Sequence, residues 1–229
     1  MVKESKRMKE VHKLVDKSKK YILEDAIAIL KKAPRPKFDE SVDVSFKVNT
    51  DPKEGTQVVR GTVALPHGTG RKVKVAVFCK GEAESKAKSA GAEYVGGSDL
   101  VEKVASGWCD FDVAIATPEM MREMGRLGKI LGPRGLMPNP KAGTVTEDVA
   151  KAIKEIKAGK VEFRMDKQGN IHVPVGKISF EEAALKENVI SLIDAVMAAK
   201  PQGFKGKFVK GLTISSTMGP GLKLNLKLD

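Results

Sequence analysis

Apolar positions along this chain follow two different rhythms, and the rhythm changes twice. Near the N-terminus, Glu4 to Val15 reads as a polar, lysine-rich helix. Leu23 to Lys32 predicts a second helix, with Ile22, Ala26, Ile29 and Leu30 as its apolar stripe and Pro34 and Pro36 ending it. From Ser41 to Val48 the alternation is strict: Val42, Val44, Phe46 and Val48 face one way, Ser41, Asp43, Ser45 and Lys47 the other. That is a strand with one buried and one wet face.

After Pro66-His67-Gly68-Thr69-Gly70 the pattern becomes blockwise. Val73 to Cys79 and Phe111 to Ala116 are short apolar runs, and Glu93 to Val95 suits a further strand. Glu82 to Ala90, Leu100 to Ala105 and Glu147 to Lys157 read as helices, the last capped by Thr146. Thr117-Pro118-Glu119 offers an N-cap, a proline at the first helical position and an early acid. Strands alternating with helices predict a parallel sheet of doubly wound type.

Beyond Gly159 the wet-faced strands return. Val161, Phe163 and Met165 alternate with polar residues, Asp166 to Asn170 reads as a turn, and Ile171, Val173 and Val175 resume, predicting a β-hairpin. Ser179 and Glu182 form a capping box before a long helix striped by Leu185, Val189, Leu192, Ile193 and Val196. Phe208 to Met218 and Leu222 to Leu228 read as two more strands around the turn Met218-Gly219-Pro220-Gly221.

The two ends therefore share an antiparallel α+β pattern and the middle an α/β one. The economical arrangement is a discontinuous α+β domain of residues 1–66 plus 160–229, with 67–159 inserted as a Rossmann-like α/β domain. The alternative is that both kinds of segment share a single sheet. Pro66, Gly68 and Gly70 lie at one crossing and Ala158 and Gly159 at the other, so these residues are the candidate hinge.

Charge adds a partner class. The chain of 229 residues holds 41 Lys+Arg against 29 Asp+Glu, a net +12. Residues 1–66 carry 15 basic and 10 acidic groups, residues 160–229 carry 11 and 7, and the middle 15 and 12. Five basic groups and one acid of the middle fall between Arg122 and Lys141. An excess concentrated in the two ends and one segment fits either a footprint for phosphates or a general solubility surface. Neither a membrane span nor a secretory signal is expected, and two cysteines, Cys79 and Cys109, make no disulfide scaffold. A cytoplasmic protein with a polyanionic partner is expected.

Catalytic chemistry finds little support. His12, His67 and His172 lie in separate segments, with no nucleophile–base spacing. Cys79 reads as an inert core thiol, and nothing basic flanks Cys109. No metal site and no cofactor are expected. Gly125 to Gly132 is glycine-rich yet matches neither the P-loop nor the dinucleotide fingerprint. Arg126 to Gly143 holds three prolines and four glycines, which predicts an ordered or semi-ordered loop, and spreads Arg126, Lys129, Arg134 and Lys141 through it. Those cations fit a second RNA contact or incidental charge on a rigid loop.

This segment resembles the signature of the family of the first large-subunit ribosomal protein, the stalk protein. Further matches are Lys37 to Val42, Arg60 to Gly68, Gly91 to Gly97, Ile156 to Gly159, Phe163-Arg164 with Asp166-Lys167, and Ser216 to Gly219, and the N-terminal helix is similar to the bacterial form. The resemblance implies a non-enzymatic protein of the large ribosomal subunit with the two-domain fold. It also implies binding of large-subunit rRNA at the mobile stalk, help to deacylated tRNA leaving the exit site, and repression of its own operon mRNA through an rRNA-like site. A monomer off the ribosome is expected. Carried over by motif, the RNA surface is Lys37, Phe38, Glu40 and Ser41, with Arg164, Asp166 and Lys167 nearby and Thr217, Met218 and Gly219 completing it.

The residue types suit that role. Thr213, Ser215 and Thr217 share a face by period two, and hydroxyls there can bond ribose 2′-OH groups; Ser216 lies beside them. Glu40 and Asp166 accept bonds, Gly219 permits close backbone approach, and Phe38 and Met218 can pack on sugars or bases. Alternatively Phe38 and Met218 belong to a core, and Ser216-Thr217 merely favours a strand. The rival function is a nucleotide-binding enzyme using the inserted domain; a third reading is a free regulator of messenger RNA.

Overall fold

A computed structural model describes residues 5–16, 18–49, 59–201, 204 and 206–225. In chain order its elements are α1 (Lys6–Leu14), α2 (Leu23–Lys32), β1 (Ser41–Val48), β2 (Arg60–Ala64), β3 (Val75–Phe78), α3 (Glu82–Ser89), β4 (Tyr94–Gly96) and α4 (Ser98–Ala105). There follow β5 (Val113–Ala116), α5 (Met121–Met124), α6 (Gly128–Arg134), α7 (Val149–Ala158), β6 (Lys160–Arg164), β7 (Asn170–Lys177), α8 (Glu182–Ala198), β8 (Val209–Ser216) and β9 (Leu222–Lys223). Two compact units emerge, one of Met1–Gly70 with Val161–Asp229 and the other of Arg71–Lys160. The expected limits at Glu4 and Leu228 lie outside the described residues.

In the unit built from both termini, β1 sits inside a four-stranded antiparallel sheet of order β7-β1-β8-β9. Its alternation does what period two requires: Val42, Val44, Phe46 and Val48 are buried, while Ser41, Asp43 and Ser45 are partly open and Lys47 is exposed. The buried side packs with α2 and with the predicted stripe of α8, where Leu185, Val189, Leu192, Ile193 and Val196 are all buried. On α2 the stripe is Leu23, Ala26, Ile27 and Leu30; Ile22 falls at the N-cap and is exposed, so it does not join.

Two local expectations are corrected here. The capping box is absent: Glu181 is the N-cap of α8 without a side-chain bond, and the Ser179 N–H and hydroxyl donate to Asp39 at 3.2 and 2.8 Å. A charged acceptor is the stronger partner, and the buried stripe stabilises α8 without a cap. The hairpin also dissolves into two sheets. β6 pairs with β2, β7 pairs with β1, and a single bridge, Met165↔Ile171, joins the two strands. The Phe163 ring sits over Gly61, where a Cβ would lie 2.7 Å from its Cζ, so β6 is fitted to β2.

The other unit is a three-stranded parallel sheet of order β4-β3-β5. All four residues of β3 are buried, as a strand covered on both faces demands. Ala76, Phe78, Leu100 and Val104 pack on one side, Val75, Val77, Ile153 and Ile156 on the other. Here too the caps move. Thr117-Pro118-Glu119 is a turn and α5 starts only at Met121. Asp148, not Thr146, caps α7 by accepting from the Lys151 N–H, while the Thr146 hydroxyl accepts from Asp148 N–H.

The Arg126 to Gly143 segment is largely helical rather than a loop. A 3-10 turn, Gly125–Leu127, leads into α6, and Pro140–Ala142 forms another. Leu127 and Leu131, four residues apart on one face, are buried, and that anchorage offsets the poor helix propensity of the glycines. Pro133 falls in the last turn, and Gly135, at φ +70°, ends the helix in the left-handed conformation expected there.

Candidate nucleic-acid interface

Where β1 begins and β8 ends, two chain segments are clasped. Glu40, a residue only 3% exposed, accepts the Met218 N–H through Oε1 at 2.7 Å. Thr217 closes on Ser41 from both sides. Its hydroxyl accepts the Ser41 N–H at 3.0 Å and donates to Ser41 O at 3.3 Å, and its own N–H donates to the same oxygen at 3.0 Å. Gly219 N–H returns to Ser216 O, and a Cβ on Gly219 would fall 2.3 Å from the Ser216 hydroxyl. Gly219 thus has an internal task beyond close approach to a ligand.

Two cations support this clasp. Arg7 on α1 donates to Met218 O at 2.8 Å, and Lys177 donates to the Ser41 hydroxyl at 3.0 Å. Phe38 and Met218 stand out from the surface, 53% and 52% exposed, so they are not core residues. Exposed Lys37 precedes Phe38 in the chain. β8 stops at Ser216, so Thr213 and Ser215 share the wet face of the sheet while Thr217 lies past its end; Ser216 itself is buried.

Arg164, Asp166 and Lys167 do not adjoin the clasp. In register, Ser41 lies opposite Lys177 but Lys47 opposite Asn170. The Asp166 turn therefore sits at the other end of the sheet, six strand steps or roughly 20 Å away. There Asp166 Oδ1 accepts the N–H groups of Gln168 and Asn170 at 2.7 and 2.8 Å, holding the carboxyl below its ordinary range, with the Asn170 N–H the main cause. Arg164 and Lys167 are exposed beside it.

Between the two ends runs a polar surface that motif reasoning passed over. Ser45 lies opposite His172 on one side and Thr213 on the other, with Ser45 Oγ 2.9 Å from His172 Nδ1. Asp43 lies between Pro174 and Ser215, and partial burial raises its carboxyl above the usual range against the pull of His172 and Lys177. The signal for Asp43 and Ser45 was the wet half of the β1 alternation; His172 needed the register.

A family model described as the Ribosomal protein L1p/L10e family matches residues 29–220. The chain belongs to that family. Curated relatives named large ribosomal subunit protein uL1 agree over nearly full length. That of Thermosipho melanesiensis is 57% identical over 226 residues, covering 98% of this chain and 97% of the relative. That of Fervidobacterium nodosum is 55% identical over 229 residues, covering 100% and 97%. That of Kosmotoga olearia is 54% identical over 225 residues, covering 98% and 97%.

In this L1p/L10e protein the first candidate hinge is tied down. Gly68 and Gly70 do take positive φ, but Asn188, fully buried on α8, accepts the His67 N–H and donates to Gly68 O and Val175 O. His67 Nε2 also lies 2.7 Å from Glu187. A Cβ on Gly70 would meet the Phe180 ring at 2.9 Å. Pro66 to Gly70 is therefore anchored to the unit that contains it. At the second crossing Ala158 ends α7 and Gly159, at φ +112°, is its C-cap.

On the α/β unit of the family member, Arg126, Lys129, Arg134 and Lys141 are all exposed on short helical turns. Arg126 and Lys129, three apart in a continuous helical run, share a face. The crevice past the carboxyl ends of the strands, where α/β sheets usually take ligands, holds instead a Lys80–Glu123 ion pair at 2.6 Å with Ser98 on the same carboxylate. That lysine holds the Glu123 carboxyl below its ordinary range. Burial raises the Cys79 thiol. Among the described residues no His/Cys/Asp/Glu cluster fits a metal ion, and no helix is long and apolar enough to cross a membrane.

Proposed function

We propose that this chain is a non-enzymatic constituent of the large ribosomal subunit in the cytoplasm, and that it binds folded large-subunit rRNA through the unit built from both termini. Membership of a ribosomal protein family supports the first part. The observation that carries the second is the clasp of Glu40, Ser41 and Thr217 to Gly219. Its polar groups are tied to backbone before any ligand arrives, so the exposed Phe38 and Met218 and the adjoining hydroxyls are presented at little ordering cost. The wet face of the sheet continues from it with Asp43, Ser45, Thr213 and Ser215, groups suited to ribose and base edges more than to phosphate alone.

Within the same reading, the stalk region of rRNA is the principal ligand and the chain's own operon mRNA, folded to a similar shape, a competing one. The cations Arg126, Lys129, Arg134 and Lys141 are a second contact, toward exit-site tRNA or rRNA. With Pro66 to Gly70 anchored, the chain just beyond Gly70 and the crossing at Ala158-Gly159 let the inserted domain move while the other holds rRNA. No observation favours a nucleotide-binding enzyme, since Lys80 is committed to Glu123.

The test is equilibrium binding of the full chain to a stalk-region rRNA fragment and to a duplex of equal length, at one stated salt concentration. A preference of at least about a thousandfold for the fragment is expected, the lower end of the range of specific over non-specific binding, and Glu40→Gln should reduce it. Equal affinity for both RNAs refutes the proposal.

A further inference from the structure

At the end of the sheet remote from the clasp, the wet face opens into a cleft of about 270 Å³. Lys20, Lys207, Lys210 and Lys223 ring it, all exposed, and Val209, Leu212 and Leu224, whose side chains belong to the core, also line it. No Asp or Glu lines it, and among the described residues none of the four lysines is paired with a carboxylate. The fold creates it by shortening the sheet. β9 pairs with β8 only at Thr213 and Ile214, and Leu224 N–H adds one more bond, to Leu212 O. Lys20 is carried in because Tyr21 N–H donates to Lys223 O and Asn225 N–H to Tyr21 O.

A second, independent observation falls at the same place. Gly211 lies inside β8, opposite Lys47, and lines the cleft. Glycine in a strand interior weakens it, and commonly marks a site where a ligand or another backbone approaches. The register against β1 shifts just beside it, a bulge that glycine suits, but among the described residues no contact demands it: its φ is not positive, and an added Cβ would meet only Lys47 Cβ at 4.0 Å, an ordinary contact. The missing side chain leaves bare backbone among cations. At this volume the cleft falls below the ~300–1,000 Å³ of small-molecule pockets, so it suits a stretch of polymer laid across it.

We propose that the Lys20–Lys207–Lys210–Lys223 cleft, with Gly211 at its centre, is a second docking point for RNA that takes the phosphate backbone of a strand distinct from the one at the clasp. The inference rests on the RNA-binding reading above. The clasp then reads shape and sugars, while the cleft supplies charge at a fixed distance along the same sheet. Binding at both points is intramolecular once either is engaged, so each raises the occupancy of the other.

The experiment uses the full chain and the stalk-region rRNA fragment, with affinity followed across a salt series. K210Q/K223Q should weaken binding about tenfold at low salt and lower the salt slope by about 2, one per lost phosphate contact. Gly211→Val should leave thermal stability unchanged or raised, because a β-branched residue suits an exposed strand position, and still weaken binding at least about fivefold. Wild-type affinity and slope in both variants, with Glu40→Gln weakened, would overturn the cleft while leaving the clasp standing. Stabilisation by inorganic phosphate that K210Q/K223Q abolishes, without change in RNA affinity, would overturn it in favour of a free-anion site. Loss of the fragment-over-duplex preference in the wild-type chain would instead count against the RNA reading beneath it.

Discussion

Thr217→Val is the sharpest probe of the clasp, because it deletes one hydroxyl and keeps the branched shape. That hydroxyl accepts the Ser41 N–H at 3.0 Å and donates, at a longer 3.3 Å, to Ser41 O. The longer bond is weak, and Ser41 O keeps the Thr217 N–H, so the cost rests on the orphaned Ser41 N–H. A neutral hydrogen bond contributes about 0.5–1.5 kcal/mol net. Thr217 is exposed and Ser41 half-buried, so water partly replaces the lost partner and the lower half of that range applies. About 0.5–1 kcal/mol corresponds to a fall of roughly 1–4 °C in unfolding midpoint for a chain of this size. RNA affinity at constant salt should fall by about fivefold, near 1 kcal/mol, since Met218 and Phe38 lose their fixed mounting. Thr217→Ser keeps the hydroxyl and should preserve both. Wild-type midpoint and affinity in Thr217→Val would refute the clasp as a preorganised mount, and a Thr217→Ser variant as weak as Thr217→Val would show the hydroxyl is not the operative group.

Other consequences are equally open to measurement. Asp43→Asn should stabilise the fold near pH 7: burial raises this carboxyl, so the protonated form's advantage is complete below its ordinary pKa near 3.8 and is lost as pH rises through the folded value. The gain should vanish in unfolding experiments below pH 4. Asp166→Ala has the opposite sign, because a depressed carboxyl stabilises above its ordinary value and ceases to as pH falls through the folded one. Its destabilisation should therefore shrink in strongly acid solution. Gly61→Ala drives a methyl against the buried Phe163 ring and should cost about 1–3 kcal/mol in denaturant unfolding, with partial rescue by Phe163→Leu. Asn188→Leu strands the groups it serves at His67, Gly68 and Val175, and should lower stability by about 2 kcal/mol or more.

Periodicity made the elements and the fold class legible, because burial on one face leaves a direct imprint on residue order. β1, β3 and the stripe of α8 fall where their patterns put them. Caps were less legible, because several nearby side chains can serve one helix end and tertiary geometry chooses. Ser179 was drawn to Asp39, distant in sequence, and Asp148 displaced Thr146. The Gly-Pro segment misled for a related reason: local propensity argued against a helix that the burial of Leu127 and Leu131 sustains. At the site, motif matching found both ends of the sheet and treated them as neighbours. Only the register of β1 against β7 and β8 separates them, and only that register brings Asp43, Ser45 and His172 into view. Gly211 and the lysines around it carry no motif; their signal is the early end of a strand pairing.

Asn188 gives the molecule a load path. Its side chain joins the segment His67-Gly68 to Val175 of β7, and β7 is hydrogen-bonded along its length to β1, the strand that leads out of the clasp. A pull on the chain beyond Gly70 is thus delivered to Val175, the third residue from the end of an eight-residue strand, not to a slack tether. Strands loaded in shear share force among many hydrogen bonds, whereas an end pulled open breaks them one by one. The four-stranded sheet can thus take up tension entering through this crossing without peeling.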